Sequence, residues 1–317
     1  MIARRLLGGL LAGTLLLAAT ASAWAQQFVT VLTGGTAGVY YPLGVALSKI
    51  YGDKISSVRT SVQSTKASVE NLSLLQAGKG EIAFTLGDSL IAAWKGDAEA
   101  GFKAPLDKLR GIAGIYPNYV QIVASKESGI RTLADLKGKR LSVGAPRSGT
   151  ELNARAILAA AGLSYADLGK VEYLPFAESV ELMKNRQLDA TLQSAGLGVA
   201  SIRDLATAIA IQMVPVSPEI VARIGDPFRP GTIPAGTYTG QDADVPTATI
   251  PNFLVTHTGV PDDLAYAMTR ELFENLDQLA AAHAEGRKIR LEAALEGMPV
   301  PLHPGAERFY RERGLIR

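Results

Sequence analysis

The sequence contains no cysteine and only three histidines among its 317 residues. Without cysteine, the chain cannot form disulfides, carry a cysteine-linked lipid or offer thiolate ligands to a metal. His257, His283 and His303 lack the spacing of a metal-binding pair, and Ser148 does not lie in a Gly-x-Ser-x-Gly elbow. A Ser-His-Asp arrangement assembled by the fold stays open. We nevertheless predict a protein with no catalytic residues, no metal, no cofactor and no enzymatic activity.

Only one long apolar run occurs, at residues 6–19. It follows Arg4 and Arg5 and precedes Ala23-Trp24-Ala25, a small-x-small cleavage pattern. This order is typical of a secretory signal peptide. We therefore expect residues 1–25 to be removed by cleavage near Ala25 and the protein to work in the periplasm, with a retained membrane anchor as the alternative.

Net charge is also nearly absent. The full chain has 32 basic and 30 acidic residues, and loss of the two arginines in residues 1–25 leaves 30 of each. A neutral surface argues against nucleic acid or an anionic membrane as partner. The remaining length, about 290 residues, exceeds what one core usually holds, which predicts two lobes.

Short β-branched runs alternate with helical patterns along the chain, as at residues 58–63, 69–75 and 82–86. This alternation predicts an α/β fold with parallel sheets covered by helices. The extended runs 112–124 and 248–255 are expected to cross between lobes. We assign residues 26–115 and 250–317 to lobe I and residues 116–249 to lobe II, with hinge crossings near 112–120 and 246–252.

Two glycine-rich loops, at residues 33–44 and 144–150, each follow a strand pattern and precede a helical pattern. Such a loop directs backbone N–H groups at one point beside a positive helix end, which suits an anion. Neither loop is a nucleotide motif. Thr150 stands where a phosphate-binding loop requires lysine, and the glycines at 34, 35 and 38 have the wrong intervals for a dinucleotide fingerprint.

Several side chains near these loops have two interpretations. Arg147 either forks onto a ligand carboxylate or is a solvated loop arginine. Tyr40 either covers the ligand or packs in the core. Asp88 either receives a ligand ammonium or caps a helix, and Gln63 and Ser64 end a strand at the edge where α/β sheets bind ligands.

The chain resembles the TAXI family of extracytoplasmic solute receptors, which serve tripartite ATP-independent periplasmic (TRAP) transporters. The resemblance covers essentially the whole mature chain and lies in residues 33–44, 68–72, 129–139, 144–150, 233–238 and 299–306. The first and last of these runs are the most specific to the family. Residues 194–198 (SAGLG) depart from the usual Thr-Ala-Gly segment, so the wall of the second lobe is expected to differ in shape.

The resemblance implies a two-lobed, type II periplasmic-binding-protein-like fold, in which each lobe is a mixed, mainly parallel sheet flanked by helices and the ligand lies in the cleft between the lobes. It implies capture of a small organic anion, a carboxylate or acidic amino acid, for delivery to integral-membrane TRAP permease subunits by a monomeric receptor. An ATP-driven importer or a periplasmic sensory role is the alternative. The predicted ligand-binding residues are Thr33, Gly34, Gly35, Thr36, Val39, Tyr40, Gln63, Ser64, Asp88, Tyr116, Arg147, Ser148, Gly149, Thr150 and Ser194.

Overall fold

The structure is a computed structural model that describes residues 27–56 and 58–316. The predicted signal peptide and its cleavage site near Ala25 therefore lie outside the described residues. The strands are β1 Gln27–Leu32, β2 Val58–Gln63, β3 Ile82–Leu86, β4 Leu109–Ser125, β5 Arg140–Ser142, β6 Lys170–Glu172, β7 Ala190–Ala195, β8 Ile211–Val214, β9 Arg229–Ile233 and β10 Val245–His257.

Helices fill most of the connections between these strands. They are α1 Tyr40–Lys54, α2 Ser68–Gln76, α3 Gly87–Lys95, α4 Gly149–Ala160, α5 Phe176–Lys184, α6 Ala200–Ala208, α7 Pro218–Ile224, α8 Asp262–Glu274, α9 Leu276–Ala282 and α10 Pro304–Glu312. Within the described part of the chain, no helix combines the length and the apolar character that a membrane crossing requires.

The strands form one continuous mixed sheet in the order β2-β1-β3-β10-β4-β7-β5-β6, with β8 paired to β4 and β9 to β10. The outer strands on each side pair in parallel, β2-β1-β3 on one side and β7-β5-β6 on the other. We call these the first side, β1 to β3 with helices α1 to α3, and the second side, β5 to β8 with helices α4 to α7. The antiparallel strands β4 and β10 join the two sides.

The long strands β4 and β10, here called the crossing strands, carry the chain between the two sides. They pair antiparallel through their middle, with Ile250 opposite Asn118 and Pro251 opposite Pro117. The expected extended runs thus exist and are continuous strands. The lobe boundaries near 112–120 and 246–252 remain a prediction, because they require the two sides to move as units.

Burial explains why the inner strands form. All five residues of β3 are buried, which matches its mostly apolar composition and its place between β1 and β10. The largest apolar cluster continues from α1 and β1 on the first side to α5 and α6 on the second. The two sides therefore share part of their core instead of having fully separate cores.

Asn252 lies at a register shift of β10, between Pro251 and Phe253, and its buried amide connects the crossing strands. Its Nδ2 donates to the backbone oxygen of Tyr116 at 2.9 Å and to Oδ1 of Asn118 at 2.7 Å. Its Oδ1 accepts from the hydroxyl of Tyr40 at the start of α1. Asn118 in turn donates to the backbone oxygen of Ser194 on β7, at 3.0 Å.

Replacing Asn252 by leucine should therefore lower stability through lost hydrogen bonds rather than lost volume. Asn252→Leu leaves three buried partners unsatisfied, so we expect the free energy of unfolding to fall by on the order of 3 kcal/mol or more. Urea unfolding measures the loss, with Asn185→Leu, at an exposed asparagine, as the control. A loss equal to that of the control would show that this amide does not hold the crossing together.

Candidate anion-binding cavity

A cavity of about 300 Å³ lies between the two sides of the sheet, above the crossing strands. The first side lines it with residues 34–40, residues 64–68 and Leu86. The second side contributes Ala145 and residues 148–150, 175–178 and 194–195, and β4 contributes Tyr116 and Asn118. The expected cleft between the two parts of the chain is therefore present as a cavity lined from both.

Four helices, two from each side, begin at this cavity. Their first residues, Tyr40 of α1, Ser68 of α2, Gly149 of α4 and Phe176 of α5, all line it. Helices α1, α2 and α5 have no side-chain cap, whereas the Ser148 hydroxyl accepts from the Glu151 N–H of α4 at 3.2 Å. First-turn N–H groups lack helical partners and carry partial positive charge, so the cavity wall favours an anion.

The helix ends meet in two pairs across the cavity. At the α2/α4 end, the N–H of Glu70 donates to the backbone oxygen of Arg147 at 3.2 Å. A Cβ added at Gly149 would lie 2.7 Å from the Ser68 hydroxyl oxygen, so only glycine permits this close approach. At the α1/α5 end, a Cβ at Gly38 would lie 3.8 Å from the Phe176 ring.

Hydroxyl groups supplement the backbone donors. Thr150 lines the cavity, and its hydroxyl makes no hydrogen bond to the described residues. Tyr116 is 1% exposed, and its hydroxyl has no hydrogen-bond partner among the residues that the structure describes. Burial, reinforced by Tyr40 and Glu285, raises the pKa of the Tyr116 phenol, so it stays protonated and keeps a hydrogen to donate.

Two residues beside the α2/α4 end adopt backbone conformations that side chains normally avoid. Ala67, directly before α2, has φ 71° and ψ −148°, and Arg147, shortly before α4, has φ 62°. Such conformations cost about 1–3 kcal/mol each and occur preferentially at functional sites. Ala67 lines the cavity, so one of these strained residues lies in its wall.

The structure brings most of the predicted site residues together. Those that line the cavity are Gly34, Gly35, Thr36, Val39, Tyr40, Ser64, Tyr116, Ser148, Gly149, Thr150 and Ser194. Their role in binding a ligand remains a prediction.

Thr33, Gln63, Asp88 and Arg147 do not line the cavity. Thr33 is fully buried and donates its hydroxyl to the backbone oxygen of Gln63 at 2.8 Å, so this pair supports the loop from behind. The Arg147 guanidinium is exposed and donates to the Ser73 hydroxyl at 2.9 Å. Arg147 therefore fits the interpretation as a loop arginine. Its guanidinium is hydrogen-bonded to α2 and does not line the cavity.

Asp88 lies one layer behind the cavity wall. The Ser194 hydroxyl donates to Asn153 Oδ1 at 2.6 Å, and Asn153 Nδ2 donates to Asp88 Oδ2 at 2.6 Å. The other carboxylate oxygen is buried without a partner. Burial raises the pKa of Asp88 from 3.8 to about 6, although the nearby polar groups of Ser89 and the hydrogen bond from Asn153 oppose the shift. Asp88 does not cap α3, since the N-cap residue is Leu86.

Sequence reasoning missed several lining residues. Lys66 and Asn118 had no local motif that marked them, and Ser68 lay in a run that resembles the TAXI family but was not predicted as a ligand residue. Phe176 and Glu178 follow a strand that showed no glycine loop. The one available signal for Asn118 was its polar side chain between the apolar segments of β4, which could have indicated a buried polar role. The buried hydrogen bonds of Asn118 explain why an amide occurs there.

The three histidines hydrogen-bond to backbone groups outside the cavity. His257 Nε2 pairs with the oxygen of Gly80 at 3.1 Å, and His303 Nε2 with the oxygen of Val260 at 3.0 Å. His283 Nδ1 accepts from the N–H of Glu285 at 3.2 Å. None of the three lines the cavity.

Comparison with known proteins shows the family. Residues 31–314 match the NMT1-like family, and the chain therefore belongs to it.

Solved structures show the fold. PhnD1 from Prochlorococcus marinus in complex with methylphosphonate is 12% identical over 92% of this chain and 100% of that chain, with a TM-score of 0.57. The alkanesulfonate-binding protein SsuA from Xanthomonas axonopodis pv. citri bound to MOPS is 15% identical over 92% of this chain and 94% of that chain, at 0.52. A binding protein component of an ABC phosphonate transporter from Pseudomonas aeruginosa is 11% identical over 83% and 80%, at 0.52. The predicted periplasmic-binding-protein-like α/β fold is confirmed, and these identities show no more than the fold.

The raised pKa of Asp88 predicts a dependence of stability on pH. The protonated carboxyl is favoured in the fold, so its contribution is complete below about pH 4 and is lost as the pH rises through about 6. Relative to Asp88→Asn, the wild type should lose up to about 3 kcal/mol of unfolding free energy between about pH 4 and about pH 7. Unfolding at several pH values tests this, with Asp242→Asn at an exposed aspartate as control. Parallel profiles for wild type and Asp88→Asn would contradict the burial of this charge.

Proposed function

We propose that the protein is an extracytoplasmic solute receptor that captures a small organic anion in the cavity and delivers it to a membrane importer. The observation that carries the proposal is the convergence of four helix N-termini, two from each side, on one cavity. An anion held there touches both sides at once, so it stabilises the form in which they are together. The same residues offer no basis for proposing catalysis.

Backbone and hydroxyl donors supply enough free energy for such binding. A hydrogen bond to a charged group contributes about 1.5–3 kcal/mol net, and micromolar affinity requires about 8 kcal/mol. Three or four such bonds to one anionic group reach that range before the costs of ordering and closure are subtracted. The α2/α4 end provides first-turn amides together with the hydroxyl groups of Ser148 and Thr150.

The volume limits the size of the solute. A cavity of about 300 Å³ lies at the small end of the range of small-molecule sites, about 300–1,000 Å³, which indicates a small solute. We propose a sulfonate, phosphonate or carboxylate as the anionic group. The proteins of similar fold bear names that refer to alkanesulfonate and methylphosphonate, which supports widening the expected carboxylate to these tetrahedral anions.

We propose an ATP-driven importer as the partner. Membership of the NMT1-like family and similarity to a component of an ABC phosphonate transporter support this choice over the TRAP permease that the TAXI resemblance implies. The TRAP permease stays a second candidate because residues 33–44 and 299–306 resemble the TAXI family. The periplasm as the site of action rests on the signal-peptide pattern of residues 1–25.

The two importers predict opposite energy requirements. Cells whose uptake of the solute depends on this chain are depleted of ATP while their membrane potential and ion gradients are maintained, and initial uptake of radiolabelled solute is measured. Uptake should stop if the partner is an ATP-driven importer. Continued uptake would contradict that partner and support the TRAP permease.

Removal of one hydroxyl tests the site itself. Thr150→Val keeps the shape of the side chain but removes a free donor, so affinity for the bound anion should fall by about 10- to 100-fold. Calorimetric titration with ethanesulfonate, ethylphosphonate and propionate measures the change in refolded protein freed of bound solute. Thr207→Val, at an exposed threonine of α6, is the matched control and should bind as the wild type does. Equal affinity in Thr150→Val would exclude the start of α4 from the site.

A further inference from the structure

Two charged side chains line the cavity, and they have opposite sign. Among the described residues, the charged groups in the lining are Lys66, two residues before α2, and Glu178, in the first turn of α5. Both are exposed, and neither side chain pairs with another charge in residues 27–56 and 58–316. The side chains that line the cavity therefore carry no net charge.

The two charges come from opposite sides of the sheet, Lys66 from the segment before α2 and Glu178 from α5. Lys66 adjoins the α2/α4 end, where the unpaired first-turn amides and the Thr150 hydroxyl already favour an anion. Glu178 adjoins the α1/α5 end beside Phe176, whose ring is half-buried and lines the same space. A carboxylate and an aromatic ring that line the same cavity both attract positive charge, so this part of the lining suits a cation.

In a receptor for a simple anion, a carboxylate that lines the binding cavity would not increase the affinity for the ligand. Glu178 would repel such a ligand and weaken the positive end of α5, although it also stabilises its own helix from the first turn. A solute with a cationic group at its other end would turn this repulsion into attraction. If Glu178 only stabilises its own helix, its substitution should affect ligands with and without a positive charge alike. If Glu178 recognises the ligand, its substitution should weaken the binding of positively charged ligands alone.

This inference rests on the anion receptor proposed above. We propose that the natural solute is zwitterionic: a small sulfonate, phosphonate or carboxylate with a protonated amine at its other end. The anionic group lies at the α2/α4 end beside Lys66. The ammonium lies at the α1/α5 end, between Glu178 and the Phe176 ring. Both charges of the solute are then matched, and each side of the sheet contacts one of them.

Matched ligand pairs that differ in a single ammonium group test this. The pairs are taurine and ethanesulfonate, 2-aminoethylphosphonate and ethylphosphonate, and β-alanine and propionate. Calorimetric titration of the refolded wild type should show at least about tenfold tighter binding of the ammonium member in the pair with the preferred anionic group.

Substitutions then assign the preference to named residues. Glu178→Gln should remove the preference for the ammonium member without weakening the simple anion. Lys66→Gln should weaken both members of a pair by a similar factor. Glu181→Gln, on the same helix but paired with Lys184 and outside the cavity lining, is the control and should keep the preference.

The outcomes separate this inference from the proposed function. Simple anions that bind as tightly as their ammonium partners, or a preference that survives in Glu178→Gln, would overturn the zwitterion inference and leave the anion receptor intact. Binding of no member of any pair by folded protein would contradict the anion receptor and the inference together.

Discussion

The amide of Asn252 holds together the place where the two sides of the molecule meet. It accepts from Tyr40 at the start of α1 and donates to the crossing strand β4 at Tyr116 and Asn118. Asn118 extends the connection to β7. Because these groups are buried, each unmade bond would be costly, and the set fixes the positions of α1 and β7 relative to the crossing strands.

The cavity follows from that arrangement. Parallel strands on both sides end near the crossing, and the helices that follow them begin there. Any α/β sheet places helix N-termini at the carboxyl edges of its strands, but here two such edges face each other across one space. The same geometry places first-turn N–H donors from both sides around one space.

The Asp88 carboxyl shows how closely the wall and its support are linked. Ser194 lines the cavity, Asn153 accepts from it, and Asp88 accepts from Asn153, which connects α4 on the second side to α3 on the first. A change in the wall at Ser194 therefore reaches a contact between the two sides. Because the pKa of Asp88 is raised to about 6, that contact also depends on pH in the mildly acidic range.

Much of the fold was predictable because local patterns agree with it. The bounds of β2 and β3 match the expected runs 58–63 and 82–86, and the glycine loops lead into α1 and α4 as expected. The parts that local patterns could not decide depend on tertiary contacts. Arg147 stood in the right loop, but its side chain contacts Ser73 and not the cavity.

Asp88 and the opposite lining charges illustrate the same limit. Asp88 was a reasonable N-cap from the sequence, but the N-cap of α3 is Leu86, two positions earlier, where the Ser68 hydroxyl accepts from the N–H of Leu86. Lys66 and Glu178 are 112 positions apart in the numbering of the chain, and no local signal connects them. Only the juxtaposition of α2 and α5 around one cavity gives the pair a meaning.

A crystal structure of the protein with saturating ethanesulfonate, with the sulfur located by anomalous scattering, tests the central claim most directly. The account predicts the sulfonate inside the cavity, at the α2/α4 end, with its oxygens on first-turn N–H groups and the Thr150 hydroxyl. An empty cavity at saturation, or a sulfonate bound only outside it, would contradict the account.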